Sequence, residues 1–222
     1  MTEKQDEINE TFTKVQGIWE KFQKQILAVV AILVIGVGGW YGYNEYIIKP
    51  KEEKAADALF KAQQFFAIDS SNLVLNGDGQ NKGVLFILKN YGGTKSANLC
   101  NYYAGVSYLK LGNFNNAVKY LKDFSTPAKQ IQLMAYGCLG DAYAELNKKE
   151  EAIENYKKAA TTFDSDENNS AEYLFRAALL LETTGKNKEA LELYKELKEK
   201  FPKTEKGFQV DKYIYRLSIE KS

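Results

Sequence analysis

The sequence predicts an all-α chain: a single N-terminal transmembrane helix, then a solenoid of helical hairpins, then a C-terminal capping helix. Three observations carry this reading. No charged side chain occurs between Gln25 and Asn44; a pattern of small and aromatic residues recurs with periods of 35 and 38 in the C-terminal half; and the apolar residues elsewhere follow helical spacing. The expected organisation is a short amphipathic arm over residues 1–24, a membrane helix over 25–48, a linker with a degenerate helical hairpin over 49–93, three repeats over 94–203 and the capping helix over 204–222.

In the arm, Ile8, Phe12, Val15, Trp19, Phe22 and Ile26 are spaced by 4, 3, 4, 3 and 4 residues, which places them on one helical face. Thr2 and Gln5 suit a capping box at its start. Two readings fit the stripe equally: a helix lying on a membrane surface or a partner's helix, and a simple extension of the anchor helix.

From Ile26 to Tyr43 the chain reads ILAVVAILVIGVGGWYGY. Twenty helical residues span about 30 Å, the thickness of a bilayer's hydrocarbon core. A cleaved signal has an apolar region of only about 7–15 residues followed by a small-x-small site. Here the run leads instead into Trp40, Tyr41, Tyr43 and Tyr46, suited to anchoring at the interface, so a retained anchor is expected, with Ile26 and Leu33 in the hydrocarbon. Lys14, Lys21 and Lys24 precede the span and Lys49, Lys51 and Lys54 follow it, so the flanking charges do not set an orientation. Gly38 and Gly42 form a small-x-x-x-small pair that fits close approach of another helix or a plain lipid-facing span.

Lys49-Pro50 suits the first turn of a new helix. Residues 51–68 carry a helical pattern through Ala55, Ala58, Leu59, Ala62, Phe65 and Phe66. The turn cluster Asn76-Gly77-Asp78-Gly79 separates them from a second stretch with Val84, Leu85, Ile87 and Leu88. Asp78 and Gly79 lack the ligand ladder and closing glutamate of a calcium loop and read as a turn.

Three units follow. The first carries Ala104-Gly105, Tyr108, Gly112, Ala117 and Leu121; the second Leu139-Gly140, Tyr143, Asn147, Ala152 and Tyr156; the third Ala177-Ala178, Leu181, Gly185, Ala190 and Tyr194. Tyr108 to Ala117, Tyr143 to Ala152 and Leu181 to Ala190 are each nine residues apart. Gly105, Gly140 and Ala178 admit a close antiparallel helix, while Gly112, Asn147 and Gly185 fall where the first helix ends in a left-handed turn. Each hairpin is apolar on both sides and must stack on neighbours. Phe208, Ile214, Tyr215 and Leu217 suit a final helix that shields the last apolar face.

Composition narrows the chemistry. With no histidine, histidine-based triads and imidazole acid–base chemistry are excluded, along with the usual zinc ligand sets. Cys100 and Cys138, 38 residues apart, form neither a metal cluster nor a redox pair, and they are expected as buried single thiols. There is no glycine-rich phosphate loop or nucleophile motif, so no enzyme activity and no cofactor is expected. Net charge is +1 from 30 basic and 29 acidic residues, which argues against nucleic acid as a partner. The spacing of Tyr102, Tyr103, Tyr108, Tyr136 and Tyr143 matches packing positions rather than a base-stacking platform. The Glu/Lys-rich runs 145–158 and 186–200 read as solvated helix faces.

The repeated residues resemble the tetratricopeptide pattern W-x2-L-G-x2-Y…A-x3-F…P, met best by Tyr136, Leu139, Gly140, Tyr143, Ala152 and Tyr156. The third unit supplies Leu174, Ala177, Ala178, Leu181, Ala190, Tyr194 and Pro202, and the first the weaker set Asn101, Ala104, Gly105, Tyr108, Ala117 and Leu121. This resemblance implies a TPR-like α-solenoid with a concave protein-binding wall on the first helices. Mapped onto this chain, the wall would carry Leu99, Tyr102, Val106 and Leu109, then Met134, Asp141 and Glu145, then Glu172, Phe175, Arg176 and Leu179, a mixture suited to peptide segments. It lacks the Lys/Asn clamp for a C-terminal carboxylate, since Arg176 alone is basic, so a cytosolic heat-shock co-chaperone is disfavoured.

One span followed by a helical repeat domain, with Gly77-Asp78-Gly79-x3-Gly83, Thr94-Lys95, Asn98-Leu99 and Tyr103-Ala104-Gly105, is similar to the YfgM-type ancillary subunits of the SecYEG translocon. The resemblance implies a single-pass protein of the bacterial inner membrane with its repeats in the periplasm. It also implies partners: the SecYEG channel, a PpiD-like membrane-anchored prolyl isomerase and emerging client polypeptides. The alternatives are an envelope-assembly adaptor and a targeting receptor with cytosolic repeats.

Overall fold

The computed structural model describes the backbone of residues 2–219 and the side chains of Thr13, Gln16, Trp19 and residues 21–219. The side chains of Ile8, Phe12 and Val15 and of the cap at Thr2 and Gln5 lie outside the described residues. The described residues are all-helical apart from turns and one antiparallel bridge between Gly77 and Lys82. Two units form, Met1–Lys51 and Glu52–Ser222.

In the first unit, helix α1 (Thr2–Tyr43) runs unbroken through residues 1–24 of the expected arm, from Thr2 on, and the apolar run that follows. Ile26, Leu33, Trp40, Tyr41 and Tyr43 are all exposed. A helix this long, apolar and uncovered by protein is long enough to cross a membrane, and hydrocarbon is the solvent that suits its surface. A π-helical turn, Asn44–Ile48, follows, with the Lys49 N–H donating to the Asn44 carbonyl. It falls just before Pro50, which has no N–H to give to Tyr46, and a widened turn at that point has an evident cause.

Helix α2 (Lys49–Ala67) crosses the boundary at Glu52, and α3 (Ser71–Asn76) and α4 (Val84–Tyr91) follow it in the second unit. Ala55, Leu59 and Ala62 of α2 pack with Val74, Leu75, Val84 and Ile87, and with Cys100 and Ala104 of the next helix. This is three helices where a pair was expected, because α3 is a single short turn-and-a-half. Asp78 closes its own turn: Oδ1 accepts from the Gln80 and Asn81 N–H groups at 3.0 and 2.7 Å.

Three hairpins follow, α5 (Lys95–Lys110) with α6 (Phe114–Lys122), α7 (Lys129–Glu145) with α8 (Lys149–Thr162), and α9 (Glu167–Thr183) with α10 (Asn187–Lys200). Glu52 fixes the start of α5. Its carboxylate accepts from the Lys95 and Ser96 N–H groups at 2.5 and 2.9 Å, placing a negative charge at the positive end of the helix dipole.

The three corners are built alike. Gly112, Asn147 and Gly185 adopt φ of 72°, 57° and 77°. The following N–H groups, of Asn113, Lys148 and Lys186, return to the carbonyls of Tyr108, Tyr143 and Leu181 at 2.9, 2.9 and 3.0 Å. That is the Schellman closure, which satisfies carbonyls the helix end leaves over. Close approach inside the hairpins is equally sequence-determined. A Cβ on Gly105 would lie 2.4 Å from Leu121 Cγ, and one on Gly140 would lie 2.5 Å from Tyr156 Cδ1. Ala117, Ala152 and Ala190 are fully buried opposite.

The cap is not one helix. It divides at Val210 into α11 (Glu205–Gln209) and α12 (Asp211–Ile219), and Val210 keeps right-handed backbone angles. Its inner stripe is Gly207, Val210, Ile214 and Leu217, spaced 3, 4 and 3. Phe208 and Tyr215, expected to shield the last repeat, are each 71% exposed. Gly207 fixes this register, since a Cβ there would lie 2.0 Å from the Phe201 carbonyl oxygen.

Candidate protein-binding wall

The wall residues lie on α5, α7 and α9, the first helices of consecutive hairpins. Their surroundings divide them into three groups.

Val106 and Phe175 are core residues, each 7% exposed, rather than presented ones. Val106 joins the main apolar cluster. The Phe175 ring is covered by Tyr213 of α12, with centroids 5.1 Å apart and edge-to-face, and by Lys206, whose Nζ lies 4.8 Å from the ring centre. The cap therefore occupies the end of the wall. Tyr102 is half-buried against Phe124 and Tyr103, and burial pushes its hydroxyl pKa up to about 12.

Asp141, Glu172 and Arg176 form one polar network that binds the units to each other. Arg176 Nη1 donates to Asp141 Oδ1 at 2.7 Å and Nε donates to Glu172 Oε1 at 2.7 Å. The Tyr156 hydroxyl donates to the same Asp141 oxygen at 2.7 Å, and Lys206 Nζ of the cap lies 3.3 Å from Glu172 Oε2. Burial, reinforced by Asp141, raises the Tyr156 pKa and keeps it a donor. For Glu172, burial pushes the pKa up, but the hydrogen bonds and charges of Arg176 and Lys206 prevail and hold it below the ordinary value. A second tie runs from Glu182, which accepts from the Tyr194 hydroxyl at 2.9 Å and pairs with Arg216 of α12. The signal for this network in the sequence is the pair of opposite charges at Asp141 and Arg176, on adjacent first helices.

Leu99, Leu109, Met134, Glu145 and Leu179 make up the rest. Glu145 and Leu179 are exposed, and Leu99, Leu109 and Met134 are half-buried. Leu179 stands at a hollow of about 230 Å³ formed with Ala144, Tyr156, Arg176, Leu180 and Thr183. Its surface is almost entirely apolar, with the Arg176 guanidinium already occupied by two carboxylates. It suits an aliphatic or aromatic side chain of a partner better than a charged one. The sequence did not mark Ala144, Leu180 or Thr183 as wall residues.

Among the described residues no group of three or more Cys, Asp or Glu side chains is placed to hold a metal ion. Cys100 is buried and Cys138 half-buried, both are free, and burial pushes each thiol up to about 12.

Sequence models of the tetratricopeptide repeat match residues 100–126 and 172–204, and a second such model matches 135–162. The chain contains tetratricopeptide repeats. The matched stretches contain nine of the eleven mapped wall positions; Leu99 and Met134 fall just outside them. Repeats of this kind build protein–protein interaction scaffolds, which agrees with a wall that offers apolar and polar contacts. No curated protein matches the sequence.

The network has a pH signature. A carboxyl whose folded pKa is depressed stabilises the fold above its unfolded value, 4.5 for glutamate, and loses that contribution as pH falls through the folded value. Glu172→Gln should thus narrow the gap between melting temperatures at neutral pH and below pH ~4.5, which thermal scans at both pH values would measure. Arg176→Ala, which strands two half-buried carboxylates, should cost about 1–2 kcal/mol at neutral pH, between the exposed-pair and buried-pair ranges.

Proposed function

We propose that this protein is a non-enzymatic, membrane-anchored scaffold with chaperone-like adaptor character, associated with the SecYEG channel and binding partner or emerging polypeptides through the repeat wall. The observation that carries it is the pairing of tetratricopeptide repeats with one uncovered membrane-length helix on the same chain. A hollow as small as that at Leu179 gives modest affinity; tethering raises the effective concentration of the wall beside a membrane-bound partner, so modest affinity suffices. The residue resemblance to the YfgM type supports the inner membrane as the location, the periplasm as the side of the repeats and a PpiD-like prolyl isomerase as a companion.

Two measurements test this. Orientation is read with an impermeant thiol reagent on Lys188→Cys, since Cys100 is buried and is a poor reporter. Labelling in intact spheroplasts is expected; labelling only after lysis would favour a cytosolic targeting receptor. Purification of the full chain in mild detergent should bring channel subunits and the isomerase with it. Recovery of an envelope-assembly machine in their place would favour that adaptor reading.

A further inference from the structure

We infer that a hollow between the second helices α6 and α8 is a further binding site, which takes the main-chain amide of an extended polypeptide segment. It has a volume of about 380 Å³, and no wall residue lines it. Leu121, Phe124 and Leu139, all buried, give it an apolar lining, to which Tyr136, Tyr143 and Asn155 add polar side chains. Asn155 carries the inference. It is 7% exposed, and its Nδ2 donates to the Glu151 carbonyl of its own helix at 2.8 Å. A carbonyl only accepts, so the amide nitrogen is fixed on that side and Oδ1 is turned away from it. Oδ1 has no partner among the described residues, yet it is not sealed in, since the fully enclosed side-chain polar atom that lacks a partner there is the Ser107 hydroxyl. It opens on the hollow that Asn155 lines.

The repeat supplies its own comparison. At the equivalent positions of the third unit, 38 residues on, stand Leu174, Leu181 and Leu193. Tyr136 and Tyr143 are residues the repeat pattern asks for. Asparagine, however, is a poor helix former and costly to bury, and leucine fills its place one unit later. The fold does not need the amide, which points to a ligand that does. Charge and hydrogen bonding select that ligand. The lining charges cancel: Glu154 is paired with Lys158 at 2.6 Å, and Glu151 is matched by Lys122 of α6. A free anion or a lone cationic side chain would meet as many charges of its own sign as of the other. The site offers an acceptor at Asn155 and two tyrosine hydroxyls, neither hydrogen-bonded to a described residue. That set suits a neutral group with both an N–H and a C=O, and the peptide unit is such a group. The apolar lining then takes an adjoining aliphatic or aromatic side chain.

The test is photocrosslinking of the full chain in detergent micelles to reduced, carboxymethylated α-lactalbumin, an unfolded polypeptide. The probe stands at Ser125, an exposed residue that lines the hollow, and for comparison at Lys188 on α10. Crosslinks from Ser125 should exceed those from Lys188. Asn155→Leu, which copies the third unit, and Asn155→Ala, which adds no bulk, should each cut them about tenfold, the worth of one hydrogen bond, with the repeats still melting cooperatively. A blocked peptide of glycine, alanine and phenylalanine should compete. Its N-methylated form, which keeps the side chains and lacks the N–H groups, should not. Leu179→Asp on the wall should leave the Ser125 crosslinks unchanged, so this site and the wall fail separately. Yields from Ser125 no higher than from Lys188, yields indifferent to Asn155, equal competition by the two peptides, or loss on Leu179→Asp would each overturn the inference.

Discussion

Gly140→Leu is expected to lower the melting temperature of the repeat unit by about 10 °C, from a loss of roughly 3 kcal/mol or more. The direction runs against intrinsic propensity, since replacing a mid-helix glycine normally stabilises by about 0.5–1 kcal/mol. Here the first added carbon already lies 2.5 Å from the Tyr156 ring, and that ring cannot withdraw cheaply. Its hydroxyl is bonded to Asp141, and its face stacks on Tyr173 with centroids 6.1 Å apart. Tyr173 in turn fills the space over Gly137, where a Cβ would meet the ring at 2.0 Å. Displacing Tyr156 therefore disturbs two first helices and the Arg176 network together. Circular dichroism melting of the full chain in detergent micelles checks the shift, and an unchanged melt would mean that the register of the second repeat is misassigned.

Deleting residues 1–48 is expected to move the protein from the membrane pellet to the soluble fraction with its helical melt intact. The shortened chain keeps every residue of both apolar clusters, the earliest being Ala55, and keeps Glu52, which fixes the start of α5. What it loses is the uncovered helix through Ile26, Leu33 and Trp40, for which water is a poor solvent. Ultracentrifugation of lysates measures the partition.

The parts of this fold that were legible in the sequence are those fixed by local chemistry. Gly112, Asn147 and Gly185 announce a left-handed corner whatever surrounds them, and a run without charge from Gln25 to Asn44 announces its solvent. Helix α3 escaped because six residues are too few to display a period. The burial of Phe175 is not legible from its own helix because its cover comes from elsewhere in the chain, from Tyr213 and Lys206 of the cap. The same distance hid the role of Arg176, whose partners Asp141 and Glu172 sit 35 and 4 residues away on two helices. Apolar character alone points Phe208 and Tyr215 inward; the register that Gly207 and Val210 impose turns them out.

The central claim is that the open part of the wall, held at a membrane, contacts other polypeptides. Site-specific photocrosslinking of the full chain in native membranes tests it most directly, with the probe at Leu179 and, for comparison, at Lys188 on the exposed face of α10. Adducts with channel, isomerase or emerging chains from Leu179 and not from Lys188 are the result expected. Equal adducts from both positions, or none from Leu179, would contradict it.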